Sequence, residues 1–465
     1  MTNTIPSKRN GKESAVGVHK HQRTAIDVGI ALLTPLVGQE FLDKYNLRDP
    51  FNRGLKYGVK QAFSAAGATT RQFKRIQGLG KPATRLEGPP PGKNSDYFDL
   101  TPDDDQKMIV ATVEEFAEEI LRPAAHDADA DAAYPPDLIA KAAELGITAI
   151  NIPEDFDGIA EHRSTVTNAL VAEALAYGDM GLALPILAPG GVASALTHWG
   201  SADQQATYLK EFAGENVPQA CLAIAEPHPL FDPTALKTTA VRTPSGYRLD
   251  GVKSLVPAAA DAELFIIAAQ LDGRPALFIV EASTAGLTVT ADPSMGIRAA
   301  ALGRVELNKV TVPVSARLGE DDAPAADHAH DYSEAIALSR LGWAALAVGT
   351  SHAVLDYVVP YIKERTAFGE PIAHRQSVAF MTANVAIELD GLRLITWRGA
   401  ARAQQGLSFA REAALAKKLG TDKGMQIGLD GVQLLGGHGY TKEHPVERWY
   451  RDLRAIGVAE GVVVL

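Results

Sequence analysis

The segment QLLGGHGYTKEHPVERWYRDLRAIGVAEG, residues 433–461, decides how this chain folds. Its first residues end an apolar helical pattern at the glycine run 436–439, because glycine permits left-handed backbone angles and close approach to a ligand. A charged helical stretch follows, and the segment ends in Glu460 and Gly461. We therefore expect a helix C-terminus, a second helix and a carboxylate to follow one another here; by itself, the glycine run indicates first of all the end of a helix.

A second segment, ERTAFGEPIAHRQSVAFM at 364–381, carries the other signs of a ligand site. Arg365 and Gln376 lie eleven residues apart, on either side of a helix break that contains Gly369 and Pro371. An arginine guanidinium binds phosphate through two parallel hydrogen bonds, which lysine cannot do. The pattern predicts contacts to a pyrophosphate and an adenine.

Outward from these segments, the hydrophobic periodicity predicts an α+β protein that is mainly α. Helical spacing begins after Thr101, the expected cap of the first helix, and changes near residue 217 to short strands around the hairpin signal Asp272-Gly273. Long helical patterns return at 331–364, 371–404 and 408–437. The predicted parts are a basic helical N-terminal extension with its linker (1–97), an α-helical domain (98–216), a middle antiparallel β-barrel (217–325) and a C-terminal four-helix bundle (326–465).

Charge is distributed unevenly along the chain. Residues 1–85 hold 15 Lys and Arg against 5 Asp and Glu, a net charge of +10, so residues 86–465 carry −21 within a total of −11. This basic arm is expected to bind the protein's own acidic body, an anionic membrane surface or a nucleotide phosphate. It lacks aromatic and basic interleaving, so nucleic acid is not an expected partner.

Cysteine usage and the N-terminal residues bear on the compartment. A single cysteine, Cys221, excludes an internal disulfide and suits a reducing environment. The apolar run 28–37 falls short of the roughly 20 residues that span a bilayer, and no secretory signal pattern precedes it. We expect a cytoplasmic protein in a bacterium, or a mitochondrial matrix protein in a eukaryote.

Four segments, 221–240, 295–313, 364–381 and 433–461, together resemble the acyl-CoA dehydrogenases in sequence, order and spacing. The resemblance covers roughly residues 98–461. It implies the helix, barrel and bundle fold, an acyl-CoA substrate, electron-transfer flavoprotein as electron acceptor and a homodimer or homotetramer. Removing hydrogen from the α and β carbons of a thioester needs a hydride acceptor, and no side chain is one, so FAD is the implied cofactor.

The resemblance also implies roles for individual residues. Glu460 matches the base that removes the α proton; some relatives place this base on an earlier helix, near Gly342 here, but 341–345 contain no carboxylate. In the family, FAD is shared between subunits, which assigns Arg365 and Gly436 to different subunits. Phe231 and Gly461 match substrate-binding positions. The implied FAD contacts are Arg365, Phe368, Gln376, Gln433, Gly436, Gly437 and the backbone of Leu222, Ile224 and Ala225.

The middle segment departs from the family pattern Thr-Glu-Pro-Gly-x-Gly-Ser-Asp. Ala225 replaces the threonine, Phe231 replaces the serine, and Leu255 and Pro257 stand where relatives shield and hydrogen-bond the flavin ring with tryptophan and threonine. Relatives also continue past Gly461 with a threonine-containing turn and another helix. Flavin binding and full activity are therefore in question.

These departures leave three alternatives to a dehydrogenase. The chain would be a low-activity or non-catalytic subunit that partners a catalytic paralogue, a flavin oxidase or monooxygenase on the same fold, or a scaffold that docks through its basic arm. A metal centre is not expected, because no second histidine or carboxylate stands at an obvious ligand spacing from His438.

Overall fold

The computed structural model describes residues 71–78, 80, 82–89, 100–319 and 325–465. The chain divides into two compact units, 1–69 and 70–465, and every described residue belongs to the second unit. The helices predicted for the extension therefore lie outside the described residues as far as position 70. Between positions 71 and 89, the described residues form no helix or strand.

In its described residues, the N-terminal helical domain contains six α-helices. Asp103, rather than Thr101, caps the first of them, because its side chain accepts from the Gln106 backbone N–H while Gln106 reciprocates. The hydrophobic pattern did not predict the fifth helix, whose interior contains Pro185 and Pro189. The bounds are α1 Asp104–Phe116, α2 Arg122–Asp131, α3 Leu138–Glu144, α4 Thr165–Gly178, α5 Met180–Trp199 and α6 Ala202–Ala213.

Helix α5 has the length and apolar composition of a membrane span. Within the described part of the chain it is the single helix of that kind, and 89% of its apolar window is buried inside the protein. Its N-cap Asp179 accepts from the backbone N–H of Leu182 at 3.0 Å. The helix is apolar because it crosses the centre of the hydrophobic core.

The middle domain is a curled seven-stranded sheet with the order β1-β4-β2-β3-β7-β6, and β5 pairs with β4. The predicted hairpin at Asp272-Gly273 is confirmed: both residues have positive φ and join β4 to β5. The sheet is not purely antiparallel, because β1 and β2 both run parallel to β4. The strands are β1 Ala220–Ala223, β2 Thr239–Thr243, β3 Gly246–Val256, β4 Leu264–Leu271, β5 Arg274–Glu281, β6 Leu287–Ala291 and β7 Gly303–Pro313.

The C-terminal domain is built on a 40-residue helix that packs against the N-terminal helical domain and against the other helices of the C-terminal bundle. The pattern predicted at 408–437 is two helices joined by a π-helical turn at Gly420–Gly424. A short β-hairpin joins the first two long helices. The bounds are α7 Ala325–Glu364, β8 Thr366–Ala367, β9 Glu370–Pro371, α8 Gln376–Gln404, α9 Ala410–Leu419, α10 Met425–Leu434 and α11 Val446–Leu453.

Helix α11 holds the three domains together through buried charges. Its Arg448 donates to Asp179 at the start of α5, with 2.9 Å between Nε and Oδ2. Arg451 forms a bidentate pair with Asp129 on α2, at 2.8 Å for each contact. Asp452 accepts from the backbone N–H of Ile297 in the middle domain. This helix therefore sets where the following residues, up to Glu460, lie relative to all three domains.

The described part of the basic arm packs on the acidic body. The Arg71 guanidinium donates to Glu211 on α6 at 2.8 Å and to Glu263 before β4 at 3.1 Å. Phe73 is buried against Tyr208, with 5.1 Å between ring centroids. Arg85 donates to the carbonyl of Gly200 at 2.7 Å. Of the three partners considered for the arm, this segment contacts the protein's own body.

Candidate active site

The Glu460 carboxylate is nearly buried between α7 and α9. Arg340 of α7 donates to Oε1 from Nη2 at 3.0 Å and from Nε at 3.2 Å, whereas Oε2 lies 3.4 Å from Nε. Lys417 of α9 places Nζ 4.0 Å from Oε1 and donates to the carbonyl of Ala459. Only 11% of the Glu460 side chain is exposed, so its charge is balanced mainly by these two cations.

The lowered pKa of Lys417 reflects the low polarity of this environment. Burial lowers the pKa of Lys417 to about 8, although the nearby Glu460 carboxylate acts in the opposite direction. The ammonium also lies 5.7 Å from the centre of the Trp343 ring. Lys417 was not identified from the sequence, where nothing distinguishes it from other helix-surface lysines.

Gly461 brings the carboxylate to strand β1. Its φ is +80°, and a Cβ there would collide with the side chain of Ile224. The carbonyl of Gly461 accepts from Ser339 Oγ at 2.7 Å and from Trp343 Nε1 at 2.9 Å. The structure thus places three predicted site residues, Glu460, Gly461 and Ile224, beside one another.

Residues 462–465 are buried between α5 and α7. A Cβ on Gly191 of α5 would collide with the carbonyl of Val462, and one on Gly342 of α7 would lie 2.7 Å from Val463 Cγ1. The two glycines therefore form a groove that this segment fills. Position 342, near which some relatives carry the base, faces the segment that directly follows Glu460.

Glu226 and Lys253 form a buried ion pair under the loop that carries Phe231. Lys253 Nζ lies 2.9 Å from Glu226 Oε1 and also donates to the carbonyl of Ile224 at 3.1 Å. Burial would raise the pKa of Glu226, but Lys253 and the backbone N–H groups of Lys237 and Thr238 lower it to about 2. Burial lowers the pKa of Lys253 to about 8, against the effect of Glu226.

Lys253 is a residue that sequence analysis missed. It lies in β3, 27 residues after Glu226, in a strand where a lysine is expected on the solvent face. Its side chain is fully buried. The available signal was the Glu226 carboxylate at the end of a buried strand. A buried carboxylate requires a nearby cation or several hydrogen-bond donors, so a buried partner such as Lys253 was to be expected.

The loop with Phe231 lies on the same side of the molecule as Arg340. The Phe231 ring contacts that of His228 at 5.5 Å between centroids. Hydrogen bonds from Thr234 lower the pKa of Asp232, and the charge of Arg340 contributes to the same shift. Tyr332 of α7 donates to the carbonyl of Pro233 at 2.6 Å. The loop is therefore fastened to the helix that carries the partner of Glu460.

The positions that depart from the family pattern already have partners inside the protein. The carbonyl of Ala225 accepts from Ser254 N at 2.9 Å, and the carbonyl of Pro257 accepts from Cys221 Sγ at 2.8 Å. Leu255 has φ of +56°, and its N–H donates to Asp292. Leu222, Ile224 and Ala225 are buried, so these residues have little surface left for a ligand.

A cavity of about 460 Å³ opens next to the segment that leads to Glu460. Leu255 lies on its wall together with Met295 and Ile297 of the middle domain, and residues 455, 457, 458 and 459 close it from the C-terminal side. The cavity therefore lies between the sheet and the bundle. Its wall includes Ala459, the residue directly before Glu460.

A second cavity, of about 480 Å³, collects most of the residues predicted to bind the cofactor. Its wall contains Arg375 and Ser377 but not Gln376, the residue between them, which begins α8. The predicted residues on this wall are Arg365, Phe368, Gln433, Gly436 and Gly437. All five come from one chain, so this cavity needs no second subunit to bring Arg365 and Gly436 together, and their assignment to different subunits stays a prediction.

The cavity has free polar groups of the kind that a nucleotide diphosphate requires. Arg365 is exposed, and no ion pair of its guanidinium is found with a residue that the structure describes. Gly436 has φ of +58°, and the space where a Cβ would stand is open at both Gly436 and Gly437. Phe368 is 95% exposed and lies under the Arg375 guanidinium at 5.6 Å. An accessible arginine, bare backbone and a flat aromatic ring fit a pyrophosphate and an adenine.

His438, on the edge of this cavity, has neighbours that the sequence did not reveal. The expectation that no second ligand lies near it is wrong in three dimensions, because Glu443 and His444 approach it. Potential ligand atoms of the three side chains lie within 4.8 Å of one another. The turn at 441–445 brings them together.

Comparisons with known proteins agree over most of residues 103–462. The family profile for the acyl-CoA dehydrogenase N-terminal domain matches residues 103–216, the profile for the middle domain matches 221–310, and the profile for the C-terminal domain matches 330–462. Probable acyl-CoA dehydrogenase YngJ of Bacillus subtilis (strain 168) is 30% identical over 373 residues, which cover 78% of this chain and 96% of the relative. The mitochondrial short-chain specific acyl-CoA dehydrogenase of Mus musculus is 29% identical over 367 residues, covering 76% and 86%.

Several solved structures share this fold. Butyryl-CoA dehydrogenase from Megasphaera elsdenii superposes with a TM-score of 0.72 at 28% identity, covering 78% of this chain and 96% of that one. A chain from a study of the electron transferring flavoprotein of Acidaminococcus fermentans gives the same values. The prolyl acyl carrier protein oxidase AnaB has a TM-score of 0.71 at 26% identity, covering 78% and 97%.

Proposed function

The chain belongs to the acyl-CoA dehydrogenase family, and from this premise we propose that it dehydrogenates an acyl-CoA thioester between the α and β carbons, with Glu460 as the base. One observation carries this proposal: a nearly buried carboxylate lies directly after a residue that lines a cavity between the sheet and the bundle. A carboxylate in such a setting can share the α proton in the transition state.

The two oxygens of Glu460 differ in their partners, which suggests how the residue acts. Oε1 accepts two hydrogen bonds from Arg340 and faces Lys417, whereas Oε2 has one longer contact at 3.4 Å. Oε2 is the proposed proton acceptor, because its lone pairs are less engaged. Arg340 holds the carboxylate in place through Oε1. Gly461, without a side chain, leaves room for the thioester beside it.

FAD is the family's cofactor and, when bound, supplies the acceptor for the β hydride. Arg365, Gly436 and Gly437 would bind its pyrophosphate, and Phe368 would stack on its adenine. Gln433 lies on the same wall and can donate from its amide. The cavity walled by Leu255 and Ala459 would hold the redox-active ring next to Glu460.

We also propose that the chain forms a homodimer or homotetramer through α8. Three large apolar side chains at a spacing of seven residues form an exposed stripe on this helix: Phe380, Ile387 and Leu394, which are 63%, 66% and 56% exposed. Such a stripe fits the same surface of a second copy. Electron-transfer flavoprotein is the proposed electron acceptor, consistent with the relatives named above.

Flavin absorbance tests this proposal directly. Purified protein should contain close to one FAD per chain, and an acyl-CoA added without oxygen should bleach the flavin band. A series of acyl chain lengths would identify the substrate. Stoichiometric flavin that no acyl-CoA reduces would contradict the dehydrogenase and favour a non-catalytic subunit. Protein that binds no FAD would contradict both.

A second candidate function is a flavin oxidase. The similarity to the prolyl acyl carrier protein oxidase AnaB supports it, together with Pro257, which has no side-chain donor at the position expected near the flavin ring. Oxygen distinguishes the two functions. An oxidase, once reduced, is reoxidised by dissolved oxygen within a turnover and releases hydrogen peroxide, whereas a dehydrogenase turns over only when an electron-transfer protein or dye is added.

A further inference from the structure

The turn between α10 and α11 brings two imidazoles and a carboxylate together on the surface. His438 Nδ1 lies 3.7 Å from Glu443 Oε2, and the rings of His438 and His444 are 6.0 Å apart. With the ligand atoms of all three within 4.8 Å of one another, they form the one group of its kind in the part of the chain that the structure describes.

The backbone of this turn is fixed while two of the side chains are free to move. The carbonyl of His438 accepts from Thr441 N at 3.1 Å and from Thr441 Oγ1 at 2.9 Å. His444 directly precedes Pro445, whose carbonyl accepts from Arg448 N in the first turn of α11. The side chains of His438 and Glu443 are 50% and 73% exposed. Side-chain rotations can therefore close the group without moving the chain.

Tyr357 contacts the third proposed ligand, His444, through the Nδ1 atom of its imidazole. Its hydroxyl oxygen lies 2.7 Å from His444 Nδ1, and its ring packs edge-on against the imidazole. When the proton is on Nδ1 and is donated to Tyr357, Nε2 keeps the lone pair that a metal needs. Metal-binding histidines almost always donate the N–H of their second ring nitrogen to a carboxylate, carbonyl or water oxygen, which fixes the tautomer, and the Tyr357 oxygen can take this role here.

From this geometry we infer that His438, Glu443 and His444 bind a divalent transition metal of the Zn²⁺ type. Two imidazoles and one carboxylate are a known Zn²⁺ ligand set, with water at the fourth position. Ligand atoms at about 2.0–2.1 Å from zinc lie about 3.3 Å apart in a tetrahedron, so the group has to contract by about 1.5 Å at most. Mg²⁺ and Ca²⁺ prefer oxygen ligands and are not expected to bind.

The inferred metal would join the glycine loop to the start of α11. No step of the proposed dehydrogenation uses these three residues, so this site goes beyond that function. His438 does lie on the wall of the cavity that holds Arg365 and Gly436. A bound metal would therefore fix the glycine wall of that cavity and stabilise the folded chain by mass action.

Metal titration of the full-length chain, freed of any histidine tag, tests the site. One Zn²⁺ per chain should bind by calorimetry, and Co²⁺ should give the visible absorbance of a tetrahedral centre. His438→Asn and Glu443→Gln change exposed side chains that the fold does not need. Each should weaken Zn²⁺ binding at least about 10-fold. Tyr357→Phe should weaken it about 10-fold, because it removes the hydrogen-bond partner of a metal ligand.

His374 and Glu370 provide a matched control. They form an exposed pair with 3.3 Å between Nδ1 and Oε2, but no third ligand joins them among the described residues. His374→Asn should leave Zn²⁺ binding unchanged. The inference is overturned if the unmodified chain binds no Zn²⁺, if His438→Asn and His374→Asn reduce binding equally, or if Mg²⁺ binds as strongly as Zn²⁺.

Discussion

Two regions of this molecule have opposite electrostatic character. Around Glu460 and the base of the Phe231 loop, charges are buried and paired within the chain: Arg340 with Glu460, and Lys253 with Glu226. Around the cavity of Arg365 and Gly436, the charges and the backbone are open to solvent. The first region is organised by folding itself, whereas we propose that a ligand completes the second.

The largest effect on stability is expected in the first region, where the charges are buried and paired; this is called the closed region below. Glu226→Gln keeps the shape of the side chain but leaves the buried Lys253 charge without its partner, so the free energy of unfolding should fall by about 3–5 kcal/mol. Urea denaturation followed by circular dichroism measures this. Lys210→Ala, which removes an exposed ion pair with Asp157, should change it by less than about 1 kcal/mol. Equal losses in the two variants would contradict the contrast between the regions.

Acid should act through the same ion pair. The pKa of Glu226 is about 2 in the folded chain against an ordinary value of 4.5, so its stabilising contribution is complete above pH 4.5 and is lost as the pH falls toward 2. At 1.36 kcal/mol per pKa unit the contribution is about 3 kcal/mol. The stability difference between the original chain and Glu226→Gln should therefore shrink between pH 5 and pH 3. A constant difference across that range would show that the carboxylate charge is not the cause.

A substitution at Glu460 tests whether the closed region also contains the catalytic base. Glu460→Gln should slow flavin reduction by acyl-CoA at least about 100-fold, the lower range for losing a general base. Binding of FAD and acyl-CoA should stay unchanged, because the glutamine keeps the size of the side chain. Stopped-flow measurement of flavin bleaching without oxygen gives the rate. Reduction at the original rate would falsify the assignment of the base.

The smallest change in free energy is expected in the second region, the cavity of Arg365 and Gly436, which is called the open region here. Arg365→Lys keeps the charge but loses the two-pronged contact to phosphate, so FAD affinity should fall about 10-fold while the free energy of unfolding of the apoprotein stays the same. Fluorescence titration with FAD measures the affinity. Arg411→Lys, on an exposed position of α9, is the control and should change neither quantity. A loss of apoprotein stability in Arg365→Lys would mean that the open region is structural too.

The comparison also shows where sequence reasoning succeeded. The helical pattern at 371–404 and the hairpin at Asp272-Gly273 are local signals, and both elements are found there, the helix beginning at Gln376. Five residues that two short segments predicted as cofactor contacts lie on one cavity wall, whereas Gln376 does not, and their role in binding stays a prediction. Sequence reasoning failed at α5, because its prolines disfavour a helix locally while burial in the core stabilises it.

By itself, the sequence determined the fold class, the family resemblance and the candidate chemistry of Glu460 and Arg365, because these depend on local periodicity and on motifs that lie close together in the chain. Only the tertiary structure decided which charges are paired. Lys253 reaches Glu226 across 27 positions, Arg340 reaches Glu460 across 120, and His444 turns back to His438. Such partners are fixed by the packing of whole elements, since a charge can be buried only where the folded chain brings a counter-charge or a donor to it.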